Sequence, residues 1–89
     1  MTDTRTENRK ILVTAGAGGI GRALALVFHE AGYAVHVCDV DEAALEELAR
    51  DTPGIHGHRA DVSSPGDVAA LFDVVDRHPG TFHVLINNA

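Results

Sequence analysis

The segment Val13–Leu26, VTAGAGGIGRALAL, constrains the fold more than any other stretch of the chain. A strand-like apolar run, Lys10–Ala15 (KILVTA), leads into it, and four of the seven residues after Thr14 are glycine. From Gly19 to Ala31 apolar residues return at helical spacing, at Ile20, Leu24, Val27 and Ala31. Gly32 stands where a helix C-cap glycine belongs. A strand that is apolar throughout must be covered on both faces, which is the condition of a parallel strand inside an α/β sheet.

The remaining chain repeats the pattern. Tyr33–Val40 (YAVHVCDV) reads as a second strand, and Asp41 caps a second helix with Leu45 and Leu48 on one face. Ile55–Ala60 reads as a weaker third strand, interrupted by Gly57. In SSPGDVAALFDVV, Ser64 is the N-cap, Pro65 takes the first helical position, and Asp67 stands three residues after the cap, as in a capping box. Val68, Leu71, Phe72 and Val75 form the inward stripe of that helix, and His78-Pro79-Gly80 ends it. Phe82–Ile86 is the fourth strand. Short strands alternating with helices predict right-handed crossovers and an α/β, Rossmann-type doubly wound parallel sheet of four strands and three helices.

Met1–Arg9 reads as a disordered lead-in. A fourth strand followed only by Asn87-Asn88-Ala89 would have one unpaired edge. Residues 10–89 are therefore expected to be the N-terminal half of a single domain, poorly stable alone. With 89 residues, 45% of them apolar, there is material for one small domain that buries about 60–65% of its unfolded surface. No apolar run approaches the ~20 residues of a membrane span, so no membrane partner is expected. The single cysteine, Cys38, cannot close an internal disulfide, which predicts a cytoplasmic protein. A net charge of −6 without a basic cluster argues against nucleic acid as a partner.

A glycine-rich turn between strand and helix lets backbone N–H groups approach a diphosphate, and the helix N-terminus adds roughly half a positive charge. The dinucleotide pattern G-x-G-x-x-G fits Gly16, Gly18 and Gly21. A second pattern, T-G-x-x-x-G-x-G, fits Thr14, Gly19 and Gly21, with Ala15 in place of its first glycine. That departure matters only if position 15 needs a positive φ, where a methyl group is strained. A P-loop is excluded because Arg22-Ala23 follow Gly21 where Lys and Ser/Thr are required. A G-x-G-x-G methyltransferase loop fails at Ile20. Asp39, at the end of the second strand, can accept hydrogen bonds from both hydroxyls of an adenosine ribose. It would repel a 2′-phosphate by about 2 kcal/mol at ~4 Å even in water. With only Gly and Ala over residues 16–19 to offset this, NAD is preferred to NADP. The competing role for Asp39 is a second helix cap beside Asp41.

With Asp61-Val62 and Asn87-Asn88-Ala89 added, the pattern resembles the short-chain dehydrogenase/reductase family. TAGAGGIG, the strand-end Asp39, ADV after the third strand and NNA after the fourth match in order, from Lys10 onward. The resemblance implies an NAD-dependent enzyme that interconverts an alcohol and a carbonyl compound by hydride transfer. It implies that Gly16, Ala17, Gly18, Gly19, Ile20 and Gly21 form the cofactor loop and that Asp39 binds the ribose. Asp61 and the Val62 N–H would read the adenine edge. Asn88 and Ala89 would line the adenosine pocket, with Asn87 bracing the fourth strand. The family's catalytic Ser, Tyr, Lys and Asn have no counterpart here, so no catalytic residue is assigned and the chain alone is expected to be inactive. The resemblance also implies a homo-oligomer assembled through later helices and a small alcohol or carbonyl substrate. The competing function is a non-catalytic dinucleotide-binding or sensing module, which a Tyr-x-x-x-Lys downstream would exclude.

Three other features carry little functional weight in the sequence. His56-x-His58 could chelate from one strand face, but no Cys or carboxylate cluster completes a ligand set, and no metal is expected. Cys38 reads as a small core residue. Arg22 reads as a solvated helix-face residue rather than a phosphate ligand.

Overall fold

The computed structural model describes residues 9–15, 17–78 and 80–87, of which 81–87 are described by their backbone. The elements run β1 (Arg9–Thr14), α1 (Gly19–Glu30), β2 (Ala34–Asp39), α2 (Glu42–Asp51), β3 (His56–Arg59), α3 (Pro65–Arg77) and β4 (Thr81–Asn87). All strand pairs are parallel, in the order β3-β2-β1-β4. This is the predicted α/β sheet of four strands and three helices. β1 starts one residue inside the expected lead-in because Arg9 already pairs with Thr81. The expected lead-in over residues 1–8 lies outside the described residues.

Successive side chains of a strand point to opposite faces, so a strand apolar throughout feeds two cores. Ile11, Val13, Val35 and Val37 face α1 and α2 and pack with Ala25, Leu48 and Ile55. Leu12 and Cys38 face the other way, toward α3, and pack with Ala60, Leu71 and Val75. Helices on both faces make the sheet doubly wound. β3 is shorter than its sequence suggested, yet Ile55 and Ala60 at its ends remain buried. Gly57 has a packing reason: a Cβ there would stand 3.3 Å from the Leu45 side chain on α2.

The helix ends follow local rules. Gly32, at φ +95°, ends α1: the Gly32 N–H donates to His29 O, and the Tyr33 N–H to Phe28 O, both at 3.1 Å. These are the two bonds of a Schellman motif, and Tyr33 packs edge-on against Phe28 with ring centroids 5.2 Å apart. Asp41 caps α2, its Oδ1 accepting from the Ala44 N–H at 3.1 Å. Ser64 caps α3, its Oγ accepting from the Asp67 N–H at 3.3 Å. The second arm of the expected capping box does not form. The Ser64 N–H donates to Asp61 O at 2.9 Å, and the Asp67 carboxylate instead accepts from the Asp61 N–H at 3.0 Å.

Two cations tie the layers together. Lys10 is buried in β1, and its Nζ donates to Val75 O at 2.8 Å and His78 O at 2.9 Å at the end of α3, where Val75 O also accepts from the His78 N–H at 3.2 Å. Arg22 on α1 reaches across to Glu47 Oε1 and Asp51 Oδ2 on α2, both at 2.7 Å. It is therefore an interhelical clamp, which corrects its reading as a solvated side chain.

Candidate functional site

Sheet order places the change of winding direction between β1 and β4, and in open α/β sheets ligands bind outside the carboxyl ends of the strands at such a point. The loop from Thr14 to Gly19 stands at that edge. Among the described residues its backbone enters the left-handed region at Ala15 (φ +53°) and Gly19 (φ +58°). Position 15 thus does need the conformation that glycine adopts without strain, and Ala15 carries the cost. Gly18, between them, is extended (φ −151°, ψ 170°), which any residue can adopt.

Gly18 is nonetheless a residue at which a side chain would touch nothing among the described residues: none of their atoms lies within 4 Å of the position a Cβ would take. Neither backbone strain nor internal packing requires glycine there. It is the N-cap of α1, where Ser, Thr, Asp or Asn would stabilise the helix, yet α1 has no side-chain cap and no acidic residue in its first turn. The α1 N-terminus therefore presents its N–H groups and partial positive charge toward open space. Gly21 is buried in the first turn of α1.

Asp39 links the carboxyl ends of three strands. Its Oδ2 accepts from the Ala17 N–H at 3.3 Å, and its Oδ1 from the Asp41 N–H at 3.1 Å. Its carbonyl accepts from the Ala60 N–H at 3.1 Å, just past β3. Ala17 is 1% exposed, so it braces the loop from beneath while Gly18 and Gly19 form its open face. One bond per oxygen leaves the half-buried carboxylate with further lone pairs. Asp41 makes the α2 cap, so Asp39 is not needed for it.

At the end of β3, Asp61 Oδ1 accepts from the Ser63 N–H at 2.9 Å and from Ser63 Oγ at 2.7 Å. These bonds favour the ionised form and hold the Asp61 carboxyl below the usual carboxylate range. Val62 is exposed beside it, as are Ile20 and Val40. Each of the three apolar side chains follows the carboxyl end of a strand, giving that edge a partly apolar rim. Val40 was absorbed into the second strand by its β-branched character, and only the strand's earlier end at Asp39 frees it.

Gly16, Asn88 and Ala89, also expected in the site, lie outside the described residues. Asn87 pairs through its backbone with Thr14, which brings the end of β4 to the loop. Cys38 is buried, and burial pushes its thiol up despite a hydrogen bond from the Ala15 backbone, so it is no nucleophile.

Residues 9–89 match the family model described as short chain dehydrogenase. A short chain dehydrogenase/reductase of Macrophomina phaseolina is 37% identical over 97% of this chain and 52% of its own length. A 2-keto-3-deoxy-L-fuconate dehydrogenase of Xanthomonas campestris is 40% identical over 98% of this chain and 28% of its own. The crystal structure of a short chain dehydrogenase from Bacillus anthracis superposes with a TM-score of 0.86 at 25% identity, covering 94% of this chain and 35% of that one. The chain thus spans about half or less of the relatives it matches.

Proposed function

Since the chain belongs to the short-chain dehydrogenase/reductase family, we propose that residues 10–89 form the NAD-binding half of an oxidoreductase acting on an alcohol/carbonyl pair. The observation that carries this reading is Gly18. A glycine with ordinary backbone angles and empty space around its missing side chain is explained by something that must approach the backbone closely.

In this reading the diphosphate lies against Gly18, Gly19 and the first N–H groups of α1, with Gly16 at the loop's start. Ile20 borders it and Gly21 allows close packing beneath. Asp39 takes the ribose hydroxyls with the lone pairs not used by Ala17 and Asp41. Asp61 and the Val62 N–H face the adenine edge, with Val40 beside them and Asn88 and Ala89 closing the pocket. A nicotinamide dinucleotide bound there supplies the hydride chemistry, while these residues supply binding and orientation. Substrate binding, proton transfer and homo-oligomer contacts are assigned to none of residues 10–89.

The test is titration of NAD into the full-length protein and its Gly18→Val variant. Valine tolerates the extended backbone and meets no neighbour, so unfolding free energy should stay within about 0.5 kcal/mol of wild type. Affinity should fall at least ~10-fold, about 1.4 kcal/mol. Unchanged affinity in a folded Gly18→Val protein would remove the basis of the assignment.

A further inference from the structure

We propose that His36, His56 and His78 form a zinc-binding site at the amino edge of the sheet, with His58 orienting His36 from outside the ligand set. The tertiary structure alone brings these rings together. His36 and His56 are register partners on β2 and β3, and their side chains share the face covered by α3. α3 runs back toward the amino edge and delivers His78 as its C-cap residue, whose carbonyl Lys10 Nζ holds at 2.9 Å. One ligand atom from each of the three rings lies within 4.8 Å of the others. Ring centroids are 4.7 Å apart for His36–His56 and His36–His78, and 4.5 Å for His56–His78.

A second observation points to a ligand. His36 is fully buried, and its Nε2 has no hydrogen-bond partner among the described residues. Buried polar atoms are nearly always satisfied, so an orphaned ring nitrogen needs an explanation. The other nitrogen, Nδ1, lies 2.9 Å from His58 Nε2. With the proton on Nδ1, His36 donates to His58 and leaves the Nε2 lone pair free. That is how metal-bound histidines are commonly held, one nitrogen on the ion and the other on an orienting partner.

Ligand reach is sufficient. Tetrahedral zinc with Zn–N bonds of ~2.0–2.1 Å sets its ligand nitrogens roughly 3.3 Å apart. His36 is fixed by packing, whereas His56 is exposed and His78 half-buried, so the closing movement falls on the two freer rings. Exposure of His56 also leaves room for water as a fourth ligand. Imidazole nitrogen suits zinc. Burial, then the neighbouring His56, His58, His78 and Lys10, push His36 down to about 3. Burial and His78 lower His56, and burial with His56 and His78 lowers His58. Lys10 is the cation facing the cluster, and its ammonium is directed to the Val75 and His78 carbonyls. The site lies at the opposite end of the strands from the glycine loop and is independent of dinucleotide binding.

The experiment is calorimetric titration of Zn²⁺ alone into tag-free, metal-stripped full-length protein. His56→Gln and His78→Gln are compared with wild type and with His29→Gln, a control on α1. Both test positions are at least partly exposed, and melting curves in EDTA verify that the variants fold. Wild type and His29→Gln should bind one Zn²⁺ per chain. His56→Gln and His78→Gln should each lose at least ~10-fold in affinity, and His58→Ala should lose ~10–100-fold through the orientation of His36. Co²⁺ substituted for Zn²⁺ should give the visible absorption of a tetrahedral site in wild type and lose it in the first two variants. Absence of saturable binding, or binding equally tight in His56→Gln and His78→Gln, would overturn the proposal.

Discussion

Ala15→Gly is expected to make the protein more stable, against the usual effect of introducing glycine. Ala15 sits at φ +53°, in the left-handed region where Cβ crowds the following carbonyl oxygen. That costs an L-residue about 1–2 kcal/mol. Glycine removes the cost but adds freedom to the unfolded chain, which opposes folding by about 0.4–1 kcal/mol. Ala15 is exposed, so removing its methyl group leaves no cavity. The net gain is then about 0.5–1 kcal/mol. Ala15→Val should have the opposite sign, losing about 1 kcal/mol or more, because a β-branched side chain is a true outlier at positive φ. Guanidinium unfolding of ligand-free full-length protein reads both, since stability changes shift the midpoint at constant slope. Dinucleotide affinity should be unchanged in Ala15→Gly, the loop being already in the required shape. A glycine variant less stable than wild type, or a valine variant equally stable, would show that position 15 is not left-handed and that the loop has another course.

Gly19→Val should weaken NAD binding as Gly18→Val does, but at φ +58° it should also lose about 1–2 kcal/mol of stability. Equal stability of the two variants would contradict the loop geometry. Asp39→Asn, which removes the charge and keeps an acceptor for only one of the Ala17 and Asp41 N–H groups, should shift the ratio of NADP to NAD affinity by about 30-fold toward NADP, the equivalent of ~2 kcal/mol of relieved repulsion. An unchanged ratio in fluorescence titrations would remove Asp39 from cofactor choice. Lys10→Met should destabilise by about 1–3 kcal/mol in chemical unfolding, because the His78 carbonyl loses the ammonium and the Val75 carbonyl keeps only the His78 N–H where α3 ends. A loss below ~0.5 kcal/mol would mean that water replaces the ammonium.

The order of elements, the helix ends and the glycine loop were legible in the sequence because each depends on residues close together in the chain. Asp41, Ser64 and Gly32 cap as expected, each bonding within five residues of its own position. The glycine spacing and the strand-end Asp39 likewise mark the candidate site in the sequence. Where the second arm of the α3 capping box fails, the competing acceptor is the nearby Asp61 carbonyl, which reaches the Ser64 N–H first.

What required the tertiary structure are contacts fixed by strand register and by helices crossing the sheet. Lys10 finds the end of α3 some 65 residues away, and Arg22 finds Glu47 and Asp51 on the neighbouring helix. The spacing of Glu47 and Asp51 on one helical face was a signal for a basic partner, but not for which one. Ala15 gave no sign of its left-handed backbone, because its side chain is compatible with many conformations and only the path from β1 into α1 selects this one. His36 is a polar residue in an otherwise apolar stretch of β2. Its meeting with His56 and His78 is set by the β2–β3 register and by where α3 ends. Local chemistry thus determined which elements form and where a ligand could approach the backbone. Long-range packing decided which side chains meet, because sequence separation carries no information about distance until the sheet is wound.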